Sequence, residues 1–288
     1  MSRQLPVEVL GDGVFYEAPR WHGGRLWVSD MGAGRVVATT LDGTAVVACS
    51  LDDAPSGLGW LPGGELLVVA MQSRRLLRQR RSGELTLHAD LSRLVTAPLN
   101  DMVVDAAGVA YVGSGGAEGA ESTDGAVVRV RPDGSADILM RGLAYPNGLV
   151  LDGARLVVAE TLAQRLTCLD LADESAQPTT WAAFGPAPQG GSVDDVLASL
   201  SVAPDGICLD SDGCLWVADA CHQRALRVRP GGEVMDEVHA DAGVYACALG
   251  GPAGRTLLLC TADLRGATTS APSRVLAVEV GAPRAGLP

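Results

Sequence analysis

DGICLDSDGCLWVAD (Asp205–Asp219) and NGLVLDGARLVVAE (Asn147–Glu160) share one layout. A polar residue and a glycine lead into a short apolar run, a turn holding Asp or Gly, and a second run rich in Val, Leu or Trp. Such runs are too short for helices and are bounded by turn formers, so they read as paired strands. The layout recurs from Glu17 (EAPRWHGGRLWVSD), Ser56 (SGLGWLPGGELLVVA), Asn100 (NDMVVDAAGVAYVGS) and Tyr245 (YACALGGPAGRTLLLC). A third strand-like run follows in most copies, as in RVVATTLDG, AVVRVRPDG and RALRVRPGG, and several end in the D-G or G-G signal that starts a hairpin. The leading residues, at 17, 56, 100, 147, 205 and 245, are 39, 44, 47, 58 and 40 residues apart. Repeats of roughly 40 to 50 residues, each with several short strands, predict an all-β six-bladed β-propeller with four antiparallel strands per blade. The expectation is one domain over 1–288 with its site in the central channel. A β-sandwich would need six matching offsets to arise by accident.

The longest interval holds PAPQGGSVDDVLASLS, from Pro186. Ser192 and Asp195 have capping-box spacing, and VDDVLASL is long enough for two helical turns. The 186–203 insertion is a candidate lid or a plain surface excursion.

Composition narrows the class. The 288 residues are 47% hydrophobic and 19% charged, with 36 glycines and 16 prolines, as expected of a compact, turn-rich chain. A net charge of -12 argues against a nucleic-acid partner. All 22 basic residues are arginine, which excludes Schiff-base chemistry by lysine. The seven cysteines are odd in number and never in C-x-x-C spacing, so they read as buried apolar residues in a reducing compartment. No signal-peptide or membrane-spanning stretch is evident, giving the expectation of a cytoplasmic protein with a small-molecule substrate and no membrane partner. Oligomeric state is left open.

In a propeller the innermost strand of each blade lines the channel, so Glu17, Ser56, Asn100, Asn147, Asp205 and Tyr245 are expected to converge. Two carboxylates and two carboxamides, without a thiol or imidazole, are the donor set of a hard divalent cation. Ca²⁺ or Mg²⁺ fits first, with Mn²⁺ or Zn²⁺ as alternatives. Pro-Asn-Gly and Pro-Asp-Gly are also strong turn signals, and for either tripeptide alone a turn is the better reading. Turn chemistry does not explain a glutamate at the same offset.

EAPRW, LND, PNGL and PDGICLD, in this order and in successive blades, resemble the signatures of the gluconolactonase, regucalcin and senescence-marker-protein family. The likeness runs from about residue 12 to about residue 280. It implies a six-bladed propeller with one divalent cation in the channel, Ca²⁺ foremost, and hydrolysis of lactones. It also implies Glu17, Asn147 and Asp205 as metal ligands, with Asn100 facing substrate or a bound water.

A cation in an open site polarises a lactone carbonyl and activates water without a protein nucleophile, and Asp205 is the candidate general base. Tyr245 is expected to add an apolar wall to the substrate site. Sugar-lactone hydrolases of the family commonly carry arginine two residues before the asparagine of N-D. Here that position is Pro98, so a less hydroxylated substrate is expected. The alternatives are a phosphotriesterase-like or biosynthetic ring-opening or ring-forming enzyme on the same metal site, or a non-catalytic cation- or ligand-binding propeller.

Other features carry less. No G-x-S-x-G elbow or P-loop is present. The four histidines form no H-x-x-x-H pair, and His22 and His222 read as surface or packing residues. RRLLRQRR (Arg74–Arg81) reads as a solvated outer face, and Glu118 and Glu121 as loop charges near the mouth.

Overall fold

The apolar runs fill both faces of every sheet. In the computed structural model, which describes residues 6–115, 124–186, 188, 192–263 and 272–286, six four-stranded antiparallel sheets form a β-propeller. The inner strand runs are nearly continuous in Val, Leu and Ala because alternate residues face opposite neighbouring blades, whereas the outer strands meet water. In blade 6, Leu257 and Leu259 pack toward blade 5, while Leu258 and Cys260 pack toward blade 1. Six apolar clusters result, one at each interface between adjacent blades.

The innermost strands are Tyr16–His22, Pro55–Trp60, Leu99–Val104, Pro146–Asp152, Pro204–Leu209 and Gly243–Gly250. Each touches the next, and the last touches the first, so the ring is closed. The third runs expected from the sequence are the third strands of their blades. The outer strand of blade 6 is supplied by the N-terminal strand Val7–Gly13, which pairs with Ser273–Glu279. Closing a ring with strands from both ends removes the seam at which blades would separate.

Three blades are pinned by one repeated device. Asp30, Glu160 and Asp219 end the second strands of blades 1, 4 and 5 and are fully buried. Each pairs with the arginine five residues on, at 2.9 Å for Arg35, 2.7 Å for Arg165 and 2.9 Å for Arg224. Each also accepts backbone N–H bonds from the segment entering the innermost strand, at Val14 and Phe15, Ala144, and Ala203. A buried carboxylate thus fixes the height at which the innermost strand begins.

The insertion does contain a helix, Val193–Ser199, with the expected capping box between Ser192 and Asp195. Val196 and Leu200 seat it against Leu162, Ala203, Tyr145 and Cys221. RRLLRQRR lies on the third strand of blade 2, where Arg75, Arg78 and Arg80 face Asp90 and Glu65. His22 stacks on Trp60 with centroids 4.0 Å apart, and His222 Nδ1 lies 2.8 Å from Asp219 Oδ1, so both serve packing. No helix among the described residues is long and apolar enough to cross a membrane.

Asp219→Ala leaves Arg224 and the Ala203 N–H without their partner and is expected to lower stability by about 3 kcal/mol, read from the urea midpoint. Arg229→Ala removes a pair with exposed Glu233, and is expected to cost under about 1 kcal/mol.

Candidate functional site

All six predicted anchors lie near the start of innermost strands, five at the second residue and Tyr245 at the third. Asn147 and Asp205 are strand residues, so the turn reading of Pro-Asn-Gly and Pro-Asp-Gly fails. Their glycines have another purpose. A Cβ on Gly148 would lie 2.6 Å from the Ile207 amide nitrogen, and one on Gly206 would lie 2.6 Å from Ala246 Cα. Bare backbone lets neighbouring innermost strands approach closely at the axis.

Strand pairing breaks at the anchor in every blade, between Glu17 and Arg20, Pro55 and Leu58, Leu99 and Met102, Pro146 and Leu149, Pro204 and Ile207, and Val244 and Ala246. Such irregularities re-aim a side chain that the pleat would otherwise send into a blade interface. Ala18 also takes a left-handed φ of 47°, strained for a non-glycine, and its N–H donates to Glu17 Oε2 at 3.0 Å.

A chain of hydrogen bonds ties five blades around the channel. Ser29 Oγ donates to the Ser56 carbonyl at 2.6 Å, and Ser56 Oγ approaches Asn100 Oδ1 at 3.4 Å. Asn100 Nδ2 donates to Asn147 Oδ1 at 3.2 Å. Asn147 Nδ2 reaches Thr161 Oγ1 at 3.4 Å, and Thr161 Oγ1 donates to the Pro204 carbonyl at 2.7 Å. The arc stops at the next side chain, since Asp205 Oδ1 is buried with no hydrogen-bond partner.

Glu17 keeps some exposed surface, while Asp205 is buried. Burial pushes the Glu17 carboxyl up to about 8, with the Asp101 charge adding to the rise and the Ala18 N–H and Arg20 opposing it. Asp205 is held well above the carboxylate range, first by burial and then by the charges of Glu17 and Asp101. Burial also raises the Tyr245 hydroxyl to about 12, and the charges of both Asp205 and Glu17 contribute. Its ring meets Phe15 edge-on at 5.0 Å.

The sequence reading missed several participants. Thr161 bridges blades 4 and 5, and Tyr145, also left-handed at φ 59°, precedes Pro146 and has its hydroxyl raised by burial and by Asp205 and Glu17. Arg20 and Asp101 form an ion pair at 2.7 Å, each side chain about nine-tenths buried. They stand inside the quoted motifs EAPRW and LND, but their pairing needs the ring geometry to become visible. Glu118 and Glu121 lie outside the described residues.

The family model described as the SMP-30/gluconolactonase/LRE-like region matches residues 15–263. The chain belongs to this family. Similar solved structures include a luciferin-regenerating enzyme, at 19% identity, TM-score 0.80, and 98% coverage of each chain. Another is regucalcin from Agrobacterium tumefaciens, described as a calcium-binding protein, at 18% identity and TM-score 0.79, covering 96% of this chain and 94% of that one. A third is a gluconolactonase from Xanthomonas campestris, at 20% identity and TM-score 0.72, covering 96% and 89%. At these identities the likeness establishes the fold.

The residues present fit a hard divalent cation. Asp205 is buried with one oxygen unpartnered, the charge of half-buried Glu17 acts on it, and carboxamides complete an all-oxygen set. Among the described residues no three His, Cys, Asp or Glu side chains gather to hold an ion by themselves, so an ion here would draw on an amide such as that of Asn147 as a third donor.

Unfolded, Glu17 ionises near 4.5; folded, it keeps its proton to about 8. Between these values the folded state binds more protons, so stability falls as pH rises. Melting curves in chelator are expected to show this decline, and Glu17→Gln is expected to lessen it, with buried Asp205 sustaining the remainder.

Proposed function

We propose that the protein is a divalent-cation-dependent hydrolase that opens lactones, with Glu17, Asn147 and Asp205 holding the cation and Ca²⁺ as the first candidate. The observation carrying this reading is the unpartnered, buried Asp205 oxygen, on which the charge of the Glu17 carboxylate acts. Family membership supports the hydrolase assignment, and a regucalcin described as calcium-binding supports the choice of ion.

A bound cation supplies Lewis-acid polarisation of the ester carbonyl and a lowered pKa for water. Asp205 would hold the cation through one carboxylate oxygen and take the proton of the attacking water through the other, passing it to the ring oxygen as the acyl C–O bond breaks. Asn100 donates through its amide nitrogen to Asn147 Oδ1 and the Pro146 carbonyl and accepts from Ser56, so its Oδ1 would face the substrate or a bound water as an acceptor. Thr161 keeps the innermost strands of blades 4 and 5 in step, and so sets Asn147 against Asp205. Tyr245 and Phe15 form one apolar flank. Tyr145, backed by Leu162 and the inserted helix, forms another.

These flanks, with Pro98 in place of a guanidinium, favour a lactone bearing alkyl or aryl substituents over a polyhydroxylated sugar lactone. Burying hydroxyls against such walls would leave them without partners.

Turnover of a lactone panel is expected to vanish in chelator and return with a divalent cation. Glu17→Gln and Asp205→Asn are each expected to lower kcat/KM by about 100-fold or more, and alkyl lactones are expected to exceed aldonolactones. Activity that survives chelation would rule out the metal mechanism. Tight cation binding without turnover of any lactone would favour the non-catalytic reading.

A further inference from the structure

The channel contains a buried cation of its own. Arg20 stands three residues beyond Glu17 on the innermost strand of blade 1 and is 7% exposed. One terminal nitrogen donates to Asp101 Oδ1 at 2.7 Å and to the Met102 carbonyl at 2.6 Å, and the other donates to the Pro19 carbonyl at 2.9 Å. Asp101 directly follows Asn100. The pair therefore joins blade 1 to blade 3, skipping blade 2.

Blade 2 leaves room because Gly57 stands where a Cβ would lie 2.4 Å from the Met102 amide nitrogen and 2.8 Å from the Asp101 carbonyl carbon. The charges are felt at the ring. Asp101 repels both Glu17 and Asp205, and Arg20 attracts Glu17. Three acidic side chains and one guanidinium thus share the axis.

We propose that Arg20 is a positioning residue that sets the charge of the cation site: its ion pair with Asp101 holds blades 1 and 3 together and offsets the Asp101 charge, leaving Glu17 and Asp205 to match a divalent ion. This rests on the cation-binding reading above and names the residue that sets ion valence. Without Arg20 the axis carries a third uncompensated carboxylate, which favours a trivalent ion. Without the Asp101 charge a guanidinium faces the ligands unopposed, which disfavours any cation, and a trivalent one most.

The test is calorimetric titration of the chelator-treated protein with Ca²⁺ and with Tb³⁺, on wild type, Arg20→Met, Asp101→Asn and the double variant. Arg20→Met is expected to shift the Tb³⁺ to Ca²⁺ affinity ratio upward by about tenfold or more, the scale of one buried charge. Asp101→Asn is expected to weaken both ions, lowering the ratio. The electroneutral double variant is expected to bring Ca²⁺ affinity back to within about threefold of wild type, as coupled sites do when both partners are removed.

Two single variants that weaken both ions equally, with no rescue in the double variant, would overturn the proposal and leave the pair a structural strut. If Arg20→Met fails to fold by circular dichroism, Arg20→Lys and Asp101→Asn carry the test. The first is expected to preserve the ratio and the second to lower it, and equal ratios would overturn the proposal. Wild type that binds no Ca²⁺ would instead sink the underlying cation-site reading.

Discussion

Two carboxylates drawn away from water at the axis of a closed ring of strands resist ionisation together. Burial penalises each charge, and each carboxylate raises the cost of ionising the other. Glu17 and Asp205 are in this position, with Asp101 adding further negative charge. Nothing in the packing requires them, since the six blade interfaces are apolar and complete without them. Perturbed carboxylates that do no packing and leave an oxygen unpartnered point to a ligand of positive charge.

The scaffold is built to hold that unfavourable cluster in place. The N-terminal strand closes blade 6, so the ring cannot relax by opening. Buried Asp30, Glu160 and Asp219 fix where three innermost strands begin, and glycines at the axis set the spacing between neighbouring strands. The hydrogen-bond arc from Ser29 to Pro204 then locks the carboxamides and ends at Asp205. Strain at Ala18, beside Glu17, is tolerated because the surrounding backbone is over-determined.

Legibility in the sequence followed the physics of each element. Innermost and second strands were readable because both faces are buried, giving apolar runs separated by turn residues at a fixed offset. The six anchors were readable for the same reason. The capping box exposed the helix, since it is a local signal. Outer strands such as Ala45–Ser50 and Leu85–Asp90 are largely exposed, so nothing in their burial imposes a pattern that sets them apart. The pairing of Val7–Gly13 with Ser273–Glu279 has no local signature, because only ring closure brings the chain ends together. Arg20 and Asp101 likewise look like ordinary charges until a blade is skipped. Pro-Asn-Gly and Pro-Asp-Gly resemble turns because glycine serves both φ > 0 and close approach, and here only the second applies.

The central claim is that the axis holds a divalent cation through Glu17, Asn147 and Asp205. Anomalous diffraction from crystals loaded with Mn²⁺, which accepts the same oxygen donors, addresses it directly. The account predicts one strong peak in the channel, bounded by those three side chains and separated from Asp101 by its ion pair with Arg20. A channel without a peak at saturating Mn²⁺, or a peak on Asp101 with Arg20 displaced, would contradict it.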